Sequence, residues 1–356
     1  TDRQTDRQTD RQTDRQTEFY AVDLVKFIMA ICVIAIHTNP LVNFNNIYVI
    51  NFYNFFLSLA VPFFFVTSAY LLFSKMNIPF SFSKNKDSIK RYILKILRLY
   101  IVWNIIYIPI SIFWYLDSDK SLIFSIAHYI RGFFFIGEHF YSWILWYLLS
   151  TIYSMGFIYY LLKRKFAIIN IFIIATIVFL IGMGFSYLVY NQEMFTGIVL
   201  LMSKFIKIVF GSGRLLTGMI YLALGILLAT YINKFNFSIW ISLICLIFLF
   251  VTSIYNYFGG FPFIQLITVF FLFHFAVNIK LKKRIVYKNL RLASTVMYFT
   301  HMMFFFLWSY CFGSFKGSNQ YGLEAFIFTF LLSMCMFILV KYLKTKNFGV
   351  IKVLFN

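Results

Sequence analysis

Ten apolar segments, each about as long as a bilayer is thick, follow one another along this 356-residue chain. The hydrocarbon core of a membrane, about 30 Å thick, is crossed by about 20 helical residues. Inside that core every backbone N–H and C=O must find a partner in the protein, which a helix provides by itself. The sequence therefore predicts an all-α, polytopic transmembrane bundle with about ten spans, at residues 19–38, 51–73, 92–116, 141–162, 166–190, 214–231, 236–256, 263–279, 293–312 and 325–343.

The basic residues indicate how such a bundle is oriented. A formal net charge of +20 is found in many nucleic-acid-binding proteins, but here Lys and Arg cluster in short loops between apolar segments, as at 84–91, 163–165 and 280–284. Clusters of this kind mark the cytoplasmic side of a membrane protein. We therefore expect the lipid bilayer and no nucleic acid as a partner, and both chain ends in the cytoplasm. The oligomeric state stays open.

Three ionisable side chains interrupt the first apolar segment. Asp23, Lys26 and His37 lie within Tyr20–Thr38, where a charge costs about 3 kcal/mol and usually faces a polar cavity. The eleven helical steps from Lys26 to His37 make about three turns and about 16 Å of rise, so both side chains lie on one face. This separation suits a long ligand that is held at one end and reacts at the other. Asp23 and Lys26, three residues apart, can also form a purely structural ion pair.

The N-terminus has a different composition. Residues 1–16 are four copies of Thr-Asp-Arg-Gln, with balanced charge and no apolar face, so we expect a disordered tail at 1–18. The codons ACA GAC AGA CAG encode this tetrapeptide and are one ACAG unit repeated, a tract in which slippage would switch expression on and off. Phase-variable expression is thus one hypothesis, and a merely flexible tail is the other. The remaining chain divides into a transmembrane domain at 19–345 and a cytoplasmic tail at 346–356.

Six short motifs follow one another between residues 19 and 343. The first is Tyr20–Phe27, with its basic residue Lys26, followed after ten residues by His37. The others are Val61–Leu72, Arg91–Arg98, Leu145–Leu148, Arg214 with Tyr221–Gly225, and Ser294 with Tyr298 and His301. In this order they resemble acyltransferase family 3, bacterial integral-membrane O-acyltransferases that include O-antigen acetylases. Two positions depart from the family pattern, because Lys26 replaces its usual Arg and Ala69 replaces its Gly.

The resemblance implies a multi-pass O-acetyltransferase of the bacterial cytoplasmic (inner) membrane. The donor would be acetyl-CoA, and the acceptor a hydroxyl of a cell-surface glycan such as lipopolysaccharide or capsule. His37 is the expected base, since imidazole titrates near neutral pH and can take the hydroxyl proton. His301 is a second expected catalytic residue, and Asp23 and Lys26 are expected beside the donor. For each histidine the alternative is a core side chain that only bonds its neighbours.

Clustered cations are expected to hold the phosphates of the donor. Arg91, Lys95 and Arg98 recur at i, i+4 and i+7, so they share one helical face at the basic start of the third apolar segment. Together with Lys26 they form the predicted CoA-binding set, because phosphate groups are bound by such clusters. Arg91 and Lys95 are equally explained as side chains that reach back to the membrane surface. Arg98 lies further inside the segment, where that explanation is weaker.

The acceptor is expected at the opposite end of the bundle. Glu138, His139, Arg214 and Trp146 lie near the outer ends of two predicted spans, where a glycan would dock. Trp146 and Arg214 could instead be interfacial anchors. Two outer loops, 118–140 and 191–213, are apolar but too short to span, so they are predicted to be interfacial or re-entrant walls of the site. No metal-ligand spacing is present, and no metal is expected.

Two other classes of protein share these features. A transporter or flippase of a lipid-linked glycan would also carry buried charges in a bundle of this size, although the sequence shows no clear internal repeat of the kind many transporters have. A membrane sensor without catalysis is the third possibility, and an intact His37 argues against it only in part.

Overall fold

The computed structural model describes residues 19–76, 80–117, 120–232, 238–256, 258, 261–312 and 321–355. The tetrapeptide repeat and the tail assigned to 1–18 lie outside the described residues, as do Gly259 and Gly260 between the seventh and eighth predicted spans. All regular structure in the described part of the chain is helical. The predicted all-α class is therefore confirmed.

The described residues form fourteen α-helices, with one π-helical turn at Gly132–Ile136 and short 3₁₀ turns at Trp143–Leu145 and Gln192–Met194. The α-helices are α1 (Tyr20–Thr38), α2 (Ile47–Ser58), α3 (Ala60–Phe73), α4 (Phe82–Asp117), α5 (Leu122–Arg131), α6 (Trp146–Lys163), α7 (Ile168–Tyr190), α8 (Gly197–Phe210), α9 (Arg214–Tyr231), α10 (Ile239–Tyr255), α11 (Pro262–Asn278), α12 (Ile285–Cys311), α13 (Leu323–Thr345) and α14 (Gly349–Phe355).

Eight helical stretches in the described residues are long and apolar enough to cross a membrane. One of them, Ile47–Phe73, consists of α2 and α3, which are separated at Leu59 because Pro62 has no N–H to donate to the carbonyl of Ser58. The seventh and eighth predicted spans coincide with α10 and α11, but these have 17 residues each, or about 25 Å. A count of ten spans and the cytoplasmic chain ends therefore stay predictions.

The buried centre of the bundle is built from six helices. α1 packs against α12 and α3, and α9 packs against α3, α6 and α7. The contact between α3 and α9 is close, since a Cβ atom on Gly225 would overlap the carbonyl oxygen of Val66 and the side chain of Ala69. Small residues allow such an approach between membrane helices. The helices of this centre carry His37 and His301, and also the predicted site residues Asp23, Lys26, Arg214 and Trp146.

The segments at the ends of the bundle are also packed. The residues assigned to a C-terminal tail include α14, which lies against α4: Trp103 donates its indole N–H to the carbonyl of Leu354 at 2.9 Å, and its ring lies 5.7 Å from that of Phe355. In the two loops predicted to be interfacial or re-entrant, α5 and α8 are too short to span and expose apolar side chains such as Ile123 and Ile198.

Candidate active site

Helices α1 and α12 bring the two predicted catalytic histidines together. The ring centroids of His37 and His301 lie 5.6 Å apart, and the ring of Trp143 lies 5.9 Å from His37. His301 Nδ1 is 2.7 Å from the carbonyl oxygen of Met297, and a carbonyl only accepts, so Nδ1 carries the hydrogen. In the neutral ring, Nε2 then holds a lone pair. Buried and without a partner among the described residues, it is available to accept a hydrogen bond or a proton.

A cavity of about 410 Å³ opens beside Lys26, and we call it the Lys26 cavity. Its volume is in the range of small-molecule sites, about 300–1,000 Å³. Three ammonium groups line it, from Lys26, Lys75 and Lys95. Of the predicted CoA-binding residues, Arg91 and Arg98 are exposed on α4 and are not part of this lining. Arg98 remains close enough to Lys95 to act on it electrostatically.

Two tyrosines, Tyr147 and Tyr298, also line the Lys26 cavity. The hydroxyl of Tyr147 lies 2.8 Å from that of Ser68, and Tyr298 donates its hydroxyl to the carbonyl of Ile144 at 2.6 Å. The two tyrosine rings meet edge to face, 5.7 Å apart. Tyr298 precedes His301 by one turn of α12. One wall of the Lys26 cavity therefore lies one helical turn from His301.

Asp23 has a partner that the sequence did not indicate. Its carboxylate accepts two hydrogen bonds from Arg291, from Nε at 2.8 Å and from Nη2 at 2.6 Å. Asp23 is buried, and Arg291 is half-exposed. The salt bridge joins α1 to α12 near Lys26. Asp23 and Lys26 do not form the structural ion pair that was the alternative for this spacing, and Lys26 lines the cavity.

Three of the predicted acceptor residues are in contact at the other end of the bundle. Arg214 forms a 3.5 Å salt bridge with Glu138, and its guanidinium lies 4.0 Å from the ring centroid of Trp146. Burial raises the pKa of Glu138, and the positive charge of Arg214 opposes that shift. Arg214 is also close enough to His37 to act on it electrostatically. The group thus lies beside the histidine pair.

A second cavity, of about 490 Å³, lies on this side of the histidines, and we call it the Trp143 cavity. Trp143 lines it and also contacts His37, so this cavity adjoins the histidine pair. Its lining residues include Trp114, His128, Arg131, Glu138, His139, Phe140, Trp143, Tyr190 and Lys207. His139, the fourth predicted acceptor residue, is only 5% exposed and stacks on Tyr129 with ring centroids 4.1 Å apart.

Comparison with known proteins decides the family. The acyltransferase domain that defines acyltransferase family 3 matches residues 19–345, which is nearly the whole chain. This chain belongs to acyltransferase family 3. Together with its apolar helices, membership indicates a multi-pass membrane protein. No solved structure matches this family member.

Two curated relatives match about half of this family member. An amino-acid racemase of Enterococcus faecalis is 32% identical over 171 residues, 48% of the chain, and a second amino-acid racemase of that organism is 29% identical over 169 residues, 46% of the chain. In each case the matched part is 22% of the relative's own length. The name describes those whole proteins, of which the match covers about a fifth.

Several residues of the candidate site in this family member are not indicated by the sequence. Arg291 could have been found as an arginine within an apolar helix, a position that calls for a buried acid such as Asp23. Lys75 has the sequence context of a loop lysine, and Trp143 that of a residue at the membrane interface, because their approach to the cavities depends on how helices pack. Within the described part of the chain, no group of three or more His, Cys, Asp or Glu side chains is placed to hold a metal ion.

Proposed function

We propose that this chain is a membrane O-acetyltransferase that transfers an acetyl group from cytoplasmic acetyl-CoA to a hydroxyl of a cell-surface glycan. The observation that carries the proposal is the pair His37 and His301, with ring centroids 5.6 Å apart, beside two cavities. Tyr298 lines the Lys26 cavity and lies one turn from His301, whereas Trp143 lines the other cavity and contacts His37. Such an arrangement supplies one site for a donor and one for an acceptor.

The Lys26 cavity is the proposed donor site. Acetyl-CoA carries several phosphate charges at one end and its thioester at the end of a long flexible arm. Lys26, Lys75 and Lys95 offer three cations to the phosphates, and the arm would extend past Tyr147 and Tyr298. The rise of about 16 Å from Lys26 to His37 along α1 then separates the held end from the reacting end.

The proposed chemistry is general base catalysis by His37. The imidazole takes the proton of the acceptor hydroxyl as its oxygen forms a bond to the acetyl carbonyl carbon. The C–S bond then breaks, and the CoA thiolate leaves and takes up the proton from His37. His301, through the lone pair on Nε2, orients or assists this base. Arg214, near His37, would stabilise the negative charge that develops on the carbonyl oxygen.

The proposal extends to expression, because the repeat at residues 1–16 can be encoded by ACAG units alone. Such a tract would make surface acetylation phase-variable. Sequencing the gene tests this directly. Synonymous codons that interrupt the ACAG unit would contradict it, since an interrupted tract does not slip.

Mass spectrometry of surface glycans tests the activity. Cells that carry the intact gene, an empty locus, His37→Ala or His301→Ala are compared at equal protein level, with His274→Ala as the control. His274 is also buried, but it bonds Ser242 at 2.8 Å, away from the pair. We expect acetylated glycan in cells with the intact gene and in cells with His274→Ala. We expect none in cells with the empty locus, His37→Ala or His301→Ala. Unchanged glycan mass combined with altered glycan export would contradict the proposal and indicate a transporter.

A further inference from the structure

The Trp143 cavity carries more positive than negative charge. Arg131 and Lys207 line it, and Glu138 is the carboxylate among its described lining residues. Glu138 is already paired with Arg214 at 3.5 Å. Neither Arg131 nor Lys207 forms a salt bridge with an acid in the described part of the chain. A cavity lined by one sign of charge concentrates ligands of the opposite sign.

Two residues that line this cavity carry buried nitrogen atoms. Nδ1 and Nε2 of His139 and Nε of Arg131 are all buried, and none has a hydrogen-bond partner among the described residues. His139 is 5% exposed and lines the cavity. Buried polar groups in native proteins are nearly always paired. A ligand that brings hydroxyl groups and an anionic oxygen would satisfy both residues.

Aromatic rings form the other walls. Trp114 and Phe140 are stacked with centroids 5.4 Å apart, and Trp143 and Tyr190 also line the cavity. Aromatic faces pack against the C–H faces of a sugar ring, while its hydroxyl groups reach the polar atoms at the edges. Flat apolar walls with a few polar groups that fix orientation are the usual design of a small-ligand site.

From these features we infer that the Trp143 cavity binds the acceptor and selects an anionic sugar, one that carries a carboxylate or a phosphate. The inference rests on the proposed function and names its substrate class. Arg131 binds the anionic oxygens through its planar guanidinium, and Lys207 adds a second positive charge. Trp143, in contact with His37, holds the sugar ring so that a free hydroxyl faces the base.

Binding to the purified protein in phosphatidylcholine nanodiscs tests this inference without catalysis. Tryptophan fluorescence reports occupancy because Trp114 and Trp143 line the cavity. The probes are galacturonate trisaccharide, its carboxyl-reduced neutral form, and galactose 6-phosphate beside galactose. We expect each anionic probe to bind at least tenfold more tightly than its neutral match. The affinity ratio of anionic to neutral probe is compared for the two pairs. The pair with the larger ratio shows whether the cavity selects a carboxylate or a phosphate.

Variants connect that ratio to the named residues. Arg131→Gln and Lys207→Gln should each lower the ratio several-fold, and neutral binding should change little. Lys204→Gln is the matched control, because Lys204 is exposed on the same helix as Lys207 and does not line the cavity. Equal binding of anionic and neutral probes by the unmodified protein would overturn the inference. The same conclusion follows if Arg131→Gln and Lys204→Gln behave alike.

Three further outcomes distinguish an acceptor site from a lipid site and separate the inference from the proposed function. If phosphatidylglycerol in the nanodisc abolishes selective binding, the cavity is a lipid headgroup site and the inference is wrong. If the probes bind as expected but surface glycans gain no acetyl group from the intact gene, the proposed function fails while the anionic sugar site stands. If acetylation is found on a neutral sugar and Arg131→Gln leaves it unchanged, only the inference about charge fails.

Discussion

Arg291 holds Asp23 by two hydrogen bonds of 2.8 and 2.6 Å and so fixes α1 against α12 near Lys26. The two helices also carry His37 and His301. A bidentate contact between a guanidinium and a carboxylate sets orientation as well as distance. The salt bridge therefore helps to set the relative position of the two helices that carry the histidine pair.

Removing the arginine should be more harmful than removing the acid. Arg291→Met leaves the buried carboxylate of Asp23 without this partner, and we expect a loss of about 3 kcal/mol of stability, because a buried charge is then left uncompensated. Asp23→Asn keeps the shape and removes the negative charge, and the half-exposed Arg291 can still be solvated, so its loss should be smaller. Thermal unfolding of the purified protein in detergent measures both.

A double variant measures the interaction energy between Asp23 and Arg291 separately from the effect of each single substitution. Asp23→Asn combined with Arg291→Met should be less destabilised than the sum of the two single variants, since each single change already removes the same interaction. Arg291→Lys keeps the charge but loses the bidentate geometry of the guanidinium. Its stability should fall between that of Arg291→Met and that of the unmodified protein. Additive losses would mean that the salt bridge contributes nothing to stability.

The contrast between Lys26 and Asp23 shows what the sequence could and could not predict. Apolar segments and helical periodicity were enough for the all-helical class and for the shared face of Lys26 and His37. The partner of Asp23 could not be found locally, because Arg291 lies on the distant helix α12 and only helix packing brings them together. The same reason explains why Lys75 was overlooked and Arg98, although correctly aligned on its helix, lies outside the cavity lining.

Cations of the Lys26 cavity should control donor affinity. Lys26→Met and Lys95→Met each remove a charge from the cavity, and a hydrogen bond to a charged group contributes about 1.5–3 kcal/mol. We therefore expect the KM for acetyl-CoA to rise about tenfold or more in each variant. Initial rates at varied donor concentration, in membranes that carry equal amounts of protein, provide the measurement.

The donor prediction has a control on the same helix. Lys90 is an exposed lysine near the start of α4 that does not line the cavity, so Lys90→Met should leave KM unchanged. Lys26→Arg restores the residue that the family usually has and should retain donor affinity. If Lys90→Met and Lys95→Met raise KM equally, the effect is one of surface charge and the cavity is not the donor site.

The close contact between α3 and α9 predicts that a larger residue at Gly225 destabilises the protein. Gly225→Ala places a methyl group against the carbonyl of Val66 and the side chain of Ala69, and forcing an extra carbon into a packed core costs about 1–3 kcal/mol. Gly184→Ala is the control, since a Cβ atom there meets nothing within 4 Å. It should be neutral or stabilising by up to about 1 kcal/mol. Equal melting temperatures for the two variants would contradict the close approach of the helices.

His139 should make the protein sensitive to acid. Burial lowers the pKa of His139 to about 4, with the charge of His128 adding to the shift, whereas in the unfolded chain the pKa is near 6.5. The unfolded state therefore takes up a proton that the folded state does not. The stability that depends on neutral His139 is fully present above about pH 6.5. It is lost progressively as the pH falls toward 4, by up to about 3 kcal/mol.

Replacing the ring tests this pH dependence. His139→Phe keeps an aromatic ring to stack on Tyr129, 4.1 Å away, but cannot titrate, so its melting temperature should vary less between pH 7 and pH 4 than that of the unmodified protein. A phenyl ring also fits against Gly132, where the absence of a Cβ atom leaves room for a planar side chain. His128→Gln removes a half-buried neighbour and should flatten the profile less. An unchanged slope in His139→Phe would mean that another group controls acid unfolding.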